Sequence, residues 1–218
     1  MRFFIGTTNP GKVREIGSIL SATGCSFERT EPVDPEETEE DFEGNALLKA
    51  RAYAARAGGV TISEDSGLII PALGGLPGAW SARFSDCELD AGAGRVVGHR
   101  RSDRPREEMD RANNERVLEL LAGVELPRRA AMFIVVLAVA TPDGEILFKG
   151  TGESHGWIAD AARGANGFGY DPIFVGQDTF GKTYAELDSM RKNLRSHRMR
   201  VLKDFKAWLG RYLREHRP

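Results

Sequence analysis

Cysteine is scarce in this chain of 218 residues, where Cys25 and Cys87 stand alone. Two isolated thiols frame no disulfide scaffold and are too few for a structural zinc site, so free thiols in a reducing compartment are expected. Long apolar runs are missing as well. The longest, Ala130 to Ala140, is too short to span a bilayer, and Phe3-Phe4-Ile5 is too short for the apolar region of a signal peptide. The expectation is a cytoplasmic protein with no membrane partner. Charge of one sign is not in excess either. A net charge of −2 leaves no basic footprint for bulk nucleic-acid binding, and the arginines at 95–106 lack the interleaved aromatics such a surface uses. The pattern G-x-x-x-x-G-K-[ST] does not occur, which excludes a P-loop kinase. Internal repeats and low-complexity linkers are absent.

What is present is an ordinary globular composition, 41% hydrophobic and 28% charged. The length suits a single domain over residues 1–218, built as one large body or two small lobes, with a core that needs no staples. Phe3 to Thr7 reads as a strand. Asn9-Pro10-Gly11-Lys12 follows, and then Val13, Ile16, Ile19 and Leu20 recur at helical spacing. Asn9 suits an N-cap and Pro10 the first helical position. A strand, tight turn and helix start of this kind aims free N–H groups and the positive end of the helix dipole at an anion. Read alone, the stretch is better taken as an ordinary capped helix with a solvated Lys12.

Gly59-Val60-Thr61-Ile62 reads as a short buried strand that ends in Ser63-Glu64-Asp65-Ser66-Gly67, which puts two carboxylates and a hydroxyl at a strand end. An acidic run from Glu31 to Glu43 reads as a solvated loop from which one or two carboxylates could turn inward. Asn45 to Ala57 is expected to be a helix carrying Lys49, and residues 88–106 an irregular surface insertion. Glu107 to Leu121 reads as a helix. Arg129 to Thr141 reads as a strand turned by Pro142-Asp143-Gly144 into Glu145 to Lys149, with Gly152 to Ile158 continuing the meander. Residues 164–172 form a glycine-rich loop. Val201, Leu202, Phe205, Trp208, Leu209, Tyr212 and Leu213 mark one face of a long amphipathic helix.

Five motifs stand in order: Thr7-Thr8-Asn9-Pro10-Gly11-Lys12, Asn45-Ala46-Leu47-Leu48-Lys49-Ala50, Glu64-Asp65-Ser66-Gly67-Leu68, Gly167-Phe168-Gly169-Tyr170-Asp171-Pro172 and Ser196-His197-Arg198. The set resembles the inosine triphosphatase family, also called Ham1. Leu73-Gly74-Gly75-Leu76-Pro77-Gly78 with Ser81-Ala82-Arg83 is similar to its bacterial branch. The resemblance covers nearly the whole chain. Two departures stand out: a basic stretch near 92–106 that is longer than usual, and Glu64 where relatives often carry Asp.

The resemblance implies an α/β fold with an elongated mixed sheet flanked by helices, two lobes with a central active-site cleft, and a homodimer. It implies Mg2+-dependent hydrolysis of deaminated purine nucleoside triphosphates (ITP, dITP, XTP) to the monophosphate and pyrophosphate, which cleanses the nucleotide pool. Asp65 would be the catalytic carboxylate and a metal ligand, because Mg2+ prefers oxygen donors. Glu37 would be the second ligand, with Glu36 and Glu64 as alternatives. Thr7, Thr8, Asn9 and Lys12 would cradle phosphates, with Lys49 and Ser66 holding them from the other lobe. The base would be met by Phe168, Gly169, Tyr170, Asp171, Lys192, His197 and Arg198. Two other readings are weighed: a Maf-like pyrophosphatase for modified pyrimidine nucleotides, and a nucleotide sensor without catalysis.

Overall fold

A computed structural model describes residues 1–33, 35, 41–90, 94–100 and 102–215. The elements run β1 (Arg2–Gly6), α1 (Pro10–Leu20), β2 (Ser26–Arg29), α2 (Phe42–Ala57), β3 (Thr61–Ile69), β4 (Cys87–Asp90), β5 (Arg95–His99), α3 (Arg106–Leu120), β6 (Ala130–Ala140), β7 (Ile146–Ile158), β8 (Phe174–Gly176), α4 (Ser189–Asn193) and α5 (His197–Glu215). Six strands form a mixed sheet in the order β2-β1-β3-β6-β7-β8. β1 pairs in parallel with both β2 and β3, and β7 pairs antiparallel with β8. The α/β class with a helix-flanked mixed sheet is as expected. The chain divides into two compact units. The first comprises Met1–Ser66, Val135–Glu153 and Ser196–Pro218, and the second Gly67–Ile134 and Ser154–Arg195.

The first unit is a layered α/β body. Successive strand residues face opposite sides of a sheet, and β6 shows it. Val135, Leu137 and Val139 pack with Phe3, Ile5 and Ile62 against Ile16, Ile19 and Leu20 of α1 and Val201, Leu202, Phe205 and Leu209 of α5. Val136, Ala138 and Ala140 face the other way, onto Ala46, Ala50 and Ala54 of α2. The small side chains let α2 lie close. A Cβ at Gly6 would come 2.5 Å from the Tyr53 ring. α1 begins as its sequence suggests: Asn9 Oδ1 accepts from the Gly11 N–H at 2.8 Å, with Pro10 in the first turn. α2 starts three residues before the expected Asn45, because Asp41 caps it by accepting from the Gly44 N–H at 2.6 Å.

The second unit holds its own core, in which Leu68, Ile70, Phe84, Val117, Phe133, Phe174 and Tyr184 are buried. Buried Arg129 staples it. Its guanidinium donates to the carbonyls of Ile158 (2.9 Å), Ala159 (2.6 Å) and Leu121 (3.2 Å), joining the end of α3 to the end of β7. Cys87 is buried in this core as a free thiol, and burial pushes its pKa up to about 11.

Three expectations are corrected. The stretch 88–106 is not irregular throughout: β4 and β5 pair antiparallel, Cys87 opposite His99 and Asp90 opposite Arg95. Gly152 to Ile158 does not start a new segment, since β7 runs unbroken for 13 residues. The third correction concerns the acid pair. β3 does not stop at Ile62 but continues to Ile69, so Glu64 and Asp65 lie within the strand, both buried.

Candidate active site

Placing two carboxylates in mid-strand separates them. Adjacent strand residues point to opposite faces, so Glu64 shares the face of Ile62, toward α1 and α5, while Asp65 turns toward α2. Each meets a cation there. Glu64 lies 3.2 Å from Lys12 of α1, and Asp65 lies 2.6 Å from Lys49 of α2. The register of β3 on β1 ends at Gly6↔Ser63, and the Ser63 hydroxyl donates to the Gly6 carbonyl at 2.8 Å. The acids therefore stand just past the carboxyl end of β1, beside the Thr7–Lys12 turn. Sites in open α/β sheets gather beyond the carboxyl ends of strands.

That turn is organised by its own side chains. Thr7 Oγ1 accepts from the Asn9 N–H at 3.2 Å, and Asn9 Oδ1 accepts in turn from Gly11 and, at 3.4 Å, Lys12. Thr8 is exposed at its tip and Lys12 sits in the first turn of α1. Burial lowers the Lys12 pKa against the pull of Glu64, with Lys49 and Arg198 lowering it further. A cation so placed, at a helix N-terminus, is suited to take a second anion.

α5 brings the Ser196-His197-Arg198 motif to the same unit. Ser196 Oγ accepts from the Met199 N–H at 3.1 Å and opens the helix. β7 admits the helix because residue 152 is glycine, where a Cβ would overlap the His197 carbonyl. His197 is buried and Arg198 is 1% exposed. Arg198 Nε and Nη2 each donate to Glu64 at 2.7 Å, and Nη1 donates to Glu15 of α1. Burial alone would raise the Glu64 carboxyl, but Arg198 and then Lys12 hold it far below the usual carboxylate range. Burial likewise works against the Arg198 cation, and Glu64 and Glu15 outweigh it and raise its pKa. Glu15 is the residue that the sequence reading does not single out. Its signal was an acid three positions from Lys12 on the apolar face that Ile16 and Ile19 define.

In the second unit, the glycine-rich loop gathers Phe168, Asp171 and Lys192. Asp171 Oδ2 accepts from the Phe168 N–H at 2.8 Å and from Lys192 Nζ at 2.6 Å. The same ammonium lies 4.4 Å from the centre of the Phe168 ring, a cation–π contact. Gly167 has φ +79, and a Cβ there would collide with Asp171, so the loop closes only with glycine at that position. Tyr170 is not grouped with these side chains. It is a core residue whose hydroxyl donates to the Ser81 carbonyl at 2.9 Å. Gly169 has φ +61, and Ser66 is half-buried on β3.

As a Mg2+ site the donor set fits in part. Both oxygens of Glu64 are engaged by Arg198, and Asp65 presents a carboxylate with Oδ1 2.6 Å from Lys49 Nζ. Mg2+ needs only one or two protein carboxylates when phosphates and waters complete its shell. Among the described residues no group of three or more His, Cys, Asp or Glu side chains is placed to hold a metal. Glu36 and Glu37 lie outside the described residues.

The layered α/β fold thus sets two lysine-flanked acids past a strand end of a mixed sheet. A sequence model of the Ham1 family matches residues 3–208, and the chain belongs to that family. It is 42% identical over 207 residues to a protein of Symbiobacterium thermophilum named dITP/XTP pyrophosphatase, covering 92% of this chain and 91% of that one. A protein of the same name from Bacillus subtilis is 41% identical over 203 residues, covering 91% and 92%. Among solved structures, the Ham1 protein of Staphylococcus aureus aligns with a TM-score of 0.75 at 33% identity, over 96% of this chain and 98% of that one. A HAM1 protein from Coxiella burnetii gives a TM-score of 0.77 at 29% identity, over 97% and 99%.

Proposed function

We propose that this protein is a Mg2+-dependent nucleoside triphosphate pyrophosphatase that hydrolyses deaminated purine nucleotides (dITP, ITP and XTP) to the monophosphate and pyrophosphate. The observation that carries the reading is the pair of lysine–carboxylate contacts on successive residues of β3, Lys12 with Glu64 and Lys49 with Asp65. The names of the relatives support it. Lys12, Lys49 and Thr8 would receive the phosphates, the lysines as point charges and the threonine hydroxyl as a donor. Asp65, with Glu37, would hold Mg2+. That ion, when bound, neutralises phosphate charge and lowers the pKa of a water. Asp65 also orients the attacking water, for which an ordinary carboxylate basicity is enough.

Phe168 would stack on the base, with Asp171 and Lys192 fixing the loop that carries it. His197 and Arg198 would donate to the 6-oxo group that inosine and xanthine share. Facing the amino group of adenine, those donors would be left unpaired, at ~1–3 kcal/mol per buried group. Selection of this kind relies on mismatch as much as on attraction. A role in cleansing the nucleotide pool, a cytoplasmic location and a homodimer belong to the same reading. Among the described residues no helix is long and apolar enough to cross a membrane.

Product analysis tests the reaction. Incubation with ITP and Mg2+ is expected to yield the monophosphate and pyrophosphate in equal amounts. Release of orthophosphate and the diphosphate would overturn the pyrophosphatase reading.

A further inference from the structure

The face that α3 turns inward is unusual for a packing helix. Its buried residues are Met109, Asn113, Asn114 and Val117, so half of them are asparagines. A helix that served burial alone would carry apolar side chains there, because a buried amide needs partners to offset its desolvation. The partners are informative. Asn113 is accounted for by structure: it donates to the Ser81 carbonyl at 3.3 Å and accepts from the Ser85 N–H at 2.7 Å. Asn114 and Asp110, one turn apart, do something else. Asp110 Oδ2 accepts from the Gly169 N–H at 2.8 Å, and Asn114 Nδ2 donates to the Gly169 carbonyl at 3.0 Å. Arg106, also one turn away, holds the Asp110 carboxylate through Oδ1 at 2.8 Å.

Both polar groups of a single glycine are thus gripped from the same helix. Gly169 follows Phe168 and has φ +61, in space that would admit a side chain. It is the backbone setting, not room, that the clamp enforces. On the other side Asp171 closes the turn by accepting from the Phe168 N–H. Phe168 is therefore fixed on both flanks. An aromatic platform is useful only when its plane is held to a small fraction of its contact distance from the stacked base.

We propose that Asp110 and Asn114 are positioning residues for nucleobase recognition, acting through Gly169 to set the Phe168 platform. The inference rests on the reading of the 167–171 loop as the base-binding element. The clamp recognises no substrate atom itself. It selects for a flat heteroaromatic base by keeping the ring in one place, and so acts on binding shared by the ground and transition states.

The test is a mutant cycle on the full-length protein with Mg2+ and ITP. D110A and N114A are each expected to raise KM about three- to tenfold, the effect of one lost hydrogen bond, with kcat unchanged. D110N keeps an oxygen acceptor for the Gly169 N–H and is expected to restore KM. In an F168A background the same substitutions are expected to change KM by less than about twofold, because the platform they position is gone. An equal effect with and without Phe168, or an unchanged KM beside a lowered melting temperature, would overturn the clamp. Should D110A fail to fold, N114A carries the same cycle. If F168A itself leaves the KM for ITP unaltered, the base-binding reading of the loop fails, and the clamp falls with it.

Discussion

Arg198 grips Glu64 through two parallel contacts, Nε to Oε2 and Nη2 to Oε1, each 2.7 Å, while its third arm reaches Glu15. A planar guanidinium fits a carboxylate in this fork and a lysine ammonium does not. R198A would take the guanidinium from two buried carboxylates and leave Glu64 with Lys12 beside it. Removing one partner of a buried pair costs roughly 3–5 kcal/mol, and a loss of that size is expected in urea denaturation. R198K is expected to recover only part of it. In whatever fraction folds, R198A should narrow the preference for ITP over ATP. An unchanged denaturation midpoint would contradict the structural role, and an unaltered ITP to ATP ratio would remove Arg198 from base reading.

Asp65 turns away from Glu64 onto the α2 face, where Lys49 meets it at 2.6 Å. D65N preserves the shape and a hydrogen-bond acceptor for Lys49. It is expected to fold with a circular dichroism spectrum like that of the wild type. Pyrophosphate release should fall by a factor on the order of a thousand if, as proposed, the carboxylate serves both Mg2+ and the attacking water. Near-normal turnover in D65N would dismiss Asp65 from catalysis.

Lys12 sits in the first turn of α1, 3.2 Å from Glu64. K12A removes the charge that the phosphates would meet but leaves the helix cap at Asn9 in place. The expected outcome is a KM for ITP raised about tenfold, the effect of one lost charge-assisted contact of roughly 1.5 kcal/mol, with a melting temperature close to the wild type. Steady-state kinetics at constant Mg2+ would show it, and an unchanged KM would put Lys12 outside the phosphate site.

Arg129 makes a prediction of the opposite kind, on stability without activity. Its guanidinium satisfies backbone carbonyls at Leu121, Ile158 and Ala159. R129M keeps the apolar stem and removes the donors. Several buried acceptors left unsatisfied cost about 1–3 kcal/mol each, some of it recovered by relaxation. A destabilisation of about 3 kcal/mol is expected, with kcat and KM for ITP unaltered in the folded protein. A change in KM would show that the staple also bears on the site.

How far these assignments could be read in advance depended on how local their causes are. The turn from Thr7 to Lys12 was legible because Asn9 and Pro10 act within four residues of themselves. The stripe from Val201 to Leu213 was legible because a 3.6 period survives any context. The true extent of β3 was hidden. Ser63-Glu64-Asp65-Ser66-Gly67 has the composition of a turn, and only Lys12, Arg198 and Lys49, all distant in sequence, make it a buried strand. Tertiary partners override strand propensity in this way. The pairing of β4 with β5 was masked by the charges along it, and Glu15 by the ordinary appearance of an acid in a helix. The ordered motifs drew attention to Glu64 and Asp65 as a pair, but not to their separation across the two faces of the sheet.

The most direct test of the account is pyrophosphate release with Mg2+ from ITP, dITP, XTP, ATP and GTP measured side by side. Rapid turnover of the first three is expected, with slow turnover of ATP and GTP and loss of all activity on chelation of the metal. No turnover of any purine triphosphate would contradict it, and turnover of modified pyrimidine triphosphates in their place would move the protein to another substrate class.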